Sequence, residues 1–258
     1  MTYEEVIYET DGDVGILTLY RPDARNALTH TTYAELEDVV RTTAARCLII
    51  TGADPAFCSG DDVKQIMAAA GPKIASGLRA EPRLTPAAGA LLQTNVPVIA
   101  AVNGAAVGWG MELAVMADIR VASEKAKFGE LFVKRGLCCD VAGIGRLTQL
   151  VGRETAAELL YTGRVMNAEE GLAWGFFNRL VAPPTVGAEA LALARVLADG
   201  PTFAHGMTKR LLHQEWAMDL DAAIEAEAQA QALCMQTQDF HRAFAAFAAR
   251  QTPKFEGN

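Results

Sequence analysis

The chain has 258 residues, 51% of them hydrophobic, enough to bury a sizeable core within one domain. A formal charge of -8 with no Lys/Arg run argues against a generic nucleic-acid or anionic-membrane surface, so a phosphate-bearing ligand would need a local basic pocket. The acidic start, Met1 to Glu9, and the lack of a long apolar run lead us to expect a soluble, cytoplasmic protein.

Val6 to Glu9 and Val14 to Tyr20 read as strands joined through Asp11-Gly12, a hairpin signal. Thr32-x-x-Glu35 resembles a capping box for a helix that carries Leu36, Val39 and Val40 on one side. Cys47 to Thr51 has the apolar character of a buried strand, followed by a glycine turn and a short helix near Val63 to Met67. Gly71 to Pro86, with three prolines and mixed charge, reads as a loop. Val98 to Val102 and Ile119 to Ala122 read as buried strands on either side of a second glycine turn and its helix. From Gly143 the pattern is mainly helical, over Arg153 to Thr162, Ala168 to Trp174, Val186 to Ala198, Thr202 to Trp216 and Leu220 to Ala249.

The five cysteines (Cys47, Cys58, Cys138, Cys139, Cys234) form no C-x-x-C pair and are expected to be reduced, with vicinal Cys138-Cys139 read as packing. The four histidines show no metal-ligand spacing, so no metal is expected. The Rossmann fingerprint is incomplete because position 113 is Leu113, and neither a P-loop nor a G-x-S-x-G motif is present.

The two most informative segments are Phe57-Cys58-Ser59-Gly60-Asp61-Asp62 and Asn103-Gly104-Ala105-Ala106-Val107-Gly108-Trp109-Gly110-Met111-Glu112. Each follows a strand-like run and opens into a helix-like one. A helix start leaves N–H groups without intrahelical partners and carries positive partial charge, so two such turns facing each other could hold a developing oxyanion.

With Arg21-Pro22-Asp23-Ala24-Arg25-Asn26-Ala27-Leu28, Pro97 to Gly104, Ala117 to Ala122, Phe128-Gly129, Gly136-Leu137 and the tail Ala246 to Gly257, the pair resembles the crotonase superfamily, the enoyl-CoA hydratases and isomerases. The resemblance runs along nearly the whole chain. It implies an α/β fold, a crotonase-like (ClpP/crotonase) ββα spiral core over residues 1–200 with a helical C-terminal oligomerisation region over 201–258, assembled as a homotrimer or dimer of trimers. It also implies an acyl-CoA thioester as substrate and no separate cofactor.

By match to the family motifs, the oxyanion donors would be the backbone N–H groups of Asp61 and Trp109, although the family usually has glycine where Trp109 stands. Glu112 matches the first catalytic glutamate, a general acid/base. The position of the second hydratase glutamate falls on Phe132, and Glu130, expected on another face if the backbone is extended, is a poor substitute. Asp140 matches the aspartate of the double-bond isomerases, with an N-cap for the following helix as its other reading. Arg25, Ala27, Asp62 and Lys64 fall on CoA-contacting motifs, and Phe247, Arg250 and Lys254 on the tail that reaches CoA in the same or a neighbouring subunit. Double-bond isomerisation using Glu112 and Asp140 is the preferred expectation. Hydration with Glu112 is the first alternative; hydrolytic or ring-opening chemistry and a non-catalytic acyl-CoA binding protein are the others.

Overall fold

The computed structural model describes residues 2–67, 84–141 and 143–258. A hairpin, β1 (Val6–Asp11) and β2 (Val14–Leu19), opens the chain and forms one edge of the larger sheet. Helix α1 (His30–Thr42) then leads to β3 (Cys47–Gly52). After β3 the chain repeats one step three times: a strand enters the larger sheet and a short one follows in a second sheet. The successive pairs are β3 with β4 (Ala56–Cys58), β5 (Val98–Val102) with β6 (Ala105–Val107), and β7 (Ile119–Ser123) with β8 (Lys127–Gly129). The larger sheet runs β1-β2-β3-β5-β7-β10 and the smaller β4-β6-β8-β9, with β9 at Met166–Asn167 and β10 at Arg179–Val181. This stepwise advance of paired strands is a spiral.

The larger sheet is covered on both faces, as a parallel sheet requires. Its strands alternate in register with the pleat: Leu48 and Ile50 of β3 and Val98, Ala100 and Val102 of β5 enter the main core, while Cys47, Ile49, Ile99 and Ala101 face the other way. That second face packs on α7 (Val186–Ala198), whose Val186, Ala190, Ala194 and Ala198 recur every four residues and let the helix lie close.

Helix α3 (Trp109–Met116) follows β6 and is buried at all eight positions. Its C-terminal carbonyls would be orphaned in the core, but buried Arg120 donates from Nη1 to the carbonyls of Ala114 and Ala117, and from Nε to Phe176. A guanidinium there also complements the negative end of the helix dipole. The helix's N-terminus points the other way, toward the glycine turns.

Some expectations are corrected. Helix α1 starts at His30 with Thr29 as N-cap and Thr32 closing the box, whereas Glu35 accepts from the N–H groups of Glu4, Glu5 and Val6 and ties β1 to the helix. Of the expected loop, 71–83 lies outside the described residues, and Pro86 opens a helix, α2 (Pro86–Gln93), taking the first-turn position that proline suits. Beyond α4 (Gly143–Val151), α5 (Arg153–Thr162), α6 (Ala168–Ala173) and α8 (Thr202–Gln214), the expected single helix Leu220 to Ala249 is two. These are α9 (Leu220–Cys234) and α10 (Gln238–Ala248), divided where Thr237 caps the second.

The two glycine turns approach so closely that a Cβ on Gly110 would lie 2.3 Å from the Cys58 carbonyl oxygen. That oxygen belongs to a strand and has no freedom to retreat. Gly110→Ala is therefore expected to destabilise the protein by about 1–3 kcal/mol or to prevent folding, measured by urea unfolding against Gly145→Ala, where among the described residues no atom outside its own helix turn lies within 4 Å of an added Cβ.

Candidate active site

Strands β4 and β6 pair in parallel, with Cys58 opposite Ala106, so the turns that follow them leave the sheet side by side. In the first, Gly60 has φ +85°, and a Cβ there would sit 2.8 Å from the Val107 carbonyl oxygen and 3.4 Å from the Trp109 nitrogen. In the second, Gly108 has φ +55° and donates its N–H to the Gly129 carbonyl of β8 at 2.8 Å. Both conformations favour glycine. Among the described residues neither the Asp61 nor the Trp109 N–H donates to another protein group.

The segment from Arg21 to Leu28 braces the first turn from behind. Leu28 N–H donates to Gly60, Asp62 N–H to Leu28, and Ser59 N–H to Arg25. Buried Asn26, in the left-handed region at φ +56°, donates its amide to the Ala53 and Ala56 carbonyls at 2.7 Å each and accepts from Arg21 N–H. The motif therefore contributes backbone scaffolding. Asp62 belongs to the same brace: it accepts from Arg21 at 3.1 Å and from the N–H groups of Lys64 and Gln65.

Two cavities meet at these turns. One, about 670 Å³, is lined by Arg21, Ala27, Asp62, Lys64, Phe132 and Arg135 together with Asp61 and Trp109. The other, about 460 Å³, is lined by Tyr33, Ile66, Ala87 and Asp140, again with Asp61 and Trp109. The turns thus form the boundary between a mouth lined by charged groups of both signs and a less polar chamber lined by three carboxylates, of which Asp61 is bonded to Tyr33 and Glu37 to Arg41, while Asp140 has no side-chain partner among the described residues. Partial burial, followed by the charge of Asp61, raises the Asp140 carboxyl above its usual range. Its backbone carbonyl accepts from Gly143 N–H at the start of α4.

Glu112 lies elsewhere. Its side chain is fully buried, neither oxygen has a hydrogen-bond partner among the described residues, and it lines neither of the two cavities. A Cβ on Gly143 would overlap its carboxylate, so this glycine makes the room it occupies. Beside it lie Glu130 and Cys139, with ligating-type atoms all within 4.8 Å of one another. The Cys139 thiol donates to Glu130 Oε2 at 3.5 Å. Burial first, then the charges of Glu130 and Asp140, pushes the Glu112 carboxyl up; burial, with Asp140, pushes Glu130 up, and burial pushes the Cys139 thiol up. With no cation in salt-bridge distance among the described residues, the pair is kept protonated.

The expectation for Glu130 is thereby corrected: at φ -84° and ψ +80° the chain leaves β8 for a tight turn (Leu131–Arg135), which swings this side chain inward beside Glu112. Its signal in the sequence was faint because the partners are 18 and 9 positions away.

The enoyl-CoA hydratase/isomerase family model matches residues 9–258. The chain belongs to that family. It is 34% identical to the 1,2-epoxyphenylacetyl-CoA isomerase of Escherichia coli K12, over 98% of this chain and 99% of the relative. It is also 36% identical to the crotonyl-CoA hydratase of Syntrophomonas wolfei, over 99% of each. Among solved structures, a chain from Streptomyces coelicolor A3(2) superposes with a TM-score of 0.91 at 37% identity, covering 100% of this chain and 96% of that one. The enoyl-CoA hydratase of Mycobacterium tuberculosis H37Rv gives 0.87 at 30%, covering 98% and 99%. The spiral is thus the crotonase fold of the hydratase/isomerase family.

Against the family motifs, the structure brings Asp61, Trp109 and Asp140 to one chamber and places Phe132 between the mouth and a third cavity of about 550 Å³. Lys64 and Ala27 line the mouth, whereas the exposed Arg25 does not. Phe247 and Lys254 line neither the mouth nor the chamber; Phe247 is 83% exposed on α10. Arg21 and Arg135, which the sequence reading passed over, supply basic groups at the mouth. Arg21 is already engaged by Glu5 at 3.2 Å and by Asp62, leaving Lys64 and Arg135 as cations with no ion-pair partner among the described residues.

The buried acids make stability depend on pH. Their folded-state pKa values lie above the unfolded ones, so the folded form binds more protons, and stability present below about pH 4.3 is lost as pH rises. Glu112→Gln keeps the shape and removes one such proton. The fall in unfolding free energy with pH is expected to be shallower in the variant by up to about 1.4 kcal/mol per pH unit, read from urea unfolding between pH 5 and pH 9; equal slopes would mean that Glu112 is charged in the folded protein.

Proposed function

We propose that the protein is an enoyl-CoA double-bond isomerase in which Asp140 moves the proton. The observation that carries this is the shared chamber: Asp140 opens onto the same cavity as the Asp61 and Trp109 turns. A thioester lying across the turns would place its CoA arm in the mouth, near Lys64 and Arg135, and its acyl group in the chamber, its carbonyl oxygen receiving the Asp61 and Trp109 N–H groups. The Asp140 carboxylate then takes a proton from the α carbon. The released electron pair becomes a dienolate whose negative charge rests on the oxygen held by the two donors, and the same carboxyl returns the proton to the γ carbon. The 3-enoyl thioester becomes a 2-enoyl thioester, with no net change in atoms. A raised Asp140 carboxyl suits both halves of this exchange.

The hydratase reading needs a water held between acid groups facing the substrate. Here Phe132 occupies one such position, and Glu112 and Glu130 are buried together outside the chamber. The proton-transfer role expected for Glu112 therefore passes to Asp140 in this proposal. Lys64 and Arg135 would meet CoA phosphates. Arg25 would do so from the rim, and Phe247, Arg250 and Lys254 would serve a ligand on a neighbouring subunit. That last role fits a trimer or a dimer of trimers, which would also cover the exposed Leu212, Trp216, Leu220, Phe244 and Phe247.

Asp140→Asn is expected to lower isomerisation of a 3-enoyl-CoA by roughly 10²-fold or more while leaving binding nearly unchanged. Glu112→Gln should retain most of the activity. Proton NMR in deuterated water follows isomerisation, solvent exchange and hydration together. Turnover surviving Asp140→Asn, or hydration of a 2-enoyl-CoA outpacing isomerisation, would replace this reading with the hydratase. Saturable binding without exchange at the α carbon would leave a binding protein. Sedimentation tests the assembly, a monomer at every concentration being the contrary result.

A further inference from the structure

We infer that Tyr33 is a positioning residue that locks both oxyanion turns at once. It touches each by a different interaction. Its hydroxyl donates to Asp61 Oδ1 at 2.5 Å, and its ring meets the Trp109 indole edge to face, with centroids 4.8 Å apart and planes at 84°. The two residues it holds are those whose N–H groups are proposed to polarise the thioester, so the inference rests on that function.

Tyr33 is itself rigidly placed. It stands in the first turn of α1, where its N–H donates to the N-cap carbonyl of Thr29. Thr29 and Thr32 are both hydrogen-bonded to Glu5. Immediately upstream, Leu28 is paired through its backbone with Gly60 and Asp62, so the start of α1 and the first turn share one register. Burial, reinforced by Asp61, holds the Tyr33 phenol far above its ordinary range, so it remains a donor at every working pH.

The electrostatic need for such a clamp comes from Asp61 itself. A carboxylate attached to an oxyanion donor opposes the negative charge that the donor is meant to receive. Drawn onto the Tyr33 hydroxyl, the Asp61 carboxylate is fixed in orientation and held by the hydroxyl dipole, and its N–H keeps its direction. Trp109 poses a steric version of the same problem, since a large side chain sits on the first residue of α3, and the Tyr33 edge fixes its ring against the chamber wall. Such preorganisation acts on the transition state more than on the bound ground state.

The test uses the whole enzyme, with carbonyl-13C butanoyl-CoA as an unreactive probe and a 3-enoyl-CoA as substrate. Tyr33→Phe keeps the ring and its contact with Trp109 while removing the hydroxyl. Infrared difference spectra should show the bound thioester carbonyl shifted to lower frequency in the wild type, and at least half of that shift lost in Tyr33→Phe. The variant's kcat should fall about 10- to 100-fold, with KM changed less than threefold. In an Asp61→Ala background, Tyr33→Phe should cost less than twofold, because the hydroxyl has no carboxylate left to hold. A wild-type spectrum without any shift would overturn the proposed function and this inference with it. A wild-type shift that survives intact in Tyr33→Phe, or an equal loss of kcat in both backgrounds, would overturn the inference alone.

Discussion

The contact on which the rest of the structure depends is backbone against backbone: the turn after β6 lies directly on the strand end and turn after β4. Parallel pairing of two short strands makes their exits neighbours, and glycines at 60 and 110 let the chains close without intervening side chains. The N-terminus of α3 is thereby aimed, with its dipole, at the boundary between two cavities. Such a helix would be costly to bury if its far end were unsatisfied. Arg120, buried among the last carbonyls of α3, supplies what is missing there and leaves the near end open.

Around these backbone turns, the acidic side chains differ in how they meet the cavities. Burial sorts three carboxyl groups into two environments. Glu112 and Glu130 are enclosed with a thiol and held neutral, whereas Asp140 keeps access to the chamber and feels the charge of Asp61. The residue that matches the family's first catalytic position is thus packed against Gly143, while Asp140, which shares the chamber with Asp61 and Trp109, comes from the loop before α4. The family relationship establishes the kind of enzyme, and the proposed choice of isomerisation over hydration rests on the placement of these acids.

Legibility in the sequence followed the range of the interaction that set each feature. The strands at 6–11, 14–19, 47–52, 98–102 and 119–123 and the helices at 153–162 and 186–198 were readable because local periodicity and local turn chemistry determine them. Both glycine turns were readable for the same reason. The α1 cap was misplaced by three residues because Thr29 and Thr32 both fit the role, and the choice depends on Glu5, just before β1, which meets the helix only in three dimensions. The break between α9 and α10 went unread because Met235-Gln236-Thr237 carries neither glycine nor proline. Glu130 was turned to the wrong face because a strand period was extended past Gly129, where the backbone changes to a tight turn.

Tyr33 shows most clearly why a motif reading stops short. Nothing within several residues of it announces a role, and its partners are 28 and 76 positions downstream. Trp109 shows the converse. Its unusual side chain drew attention at a glycine-rich position, yet the expected chemistry there belongs to its N–H group, which any residue can provide. What the indole changes is the wall of the chamber, where α1 delivers Tyr33 against its ring. Where backbone groups are the expected donors, side-chain identity is free to set shape and orientation, and those effects become visible only when the contacts are known.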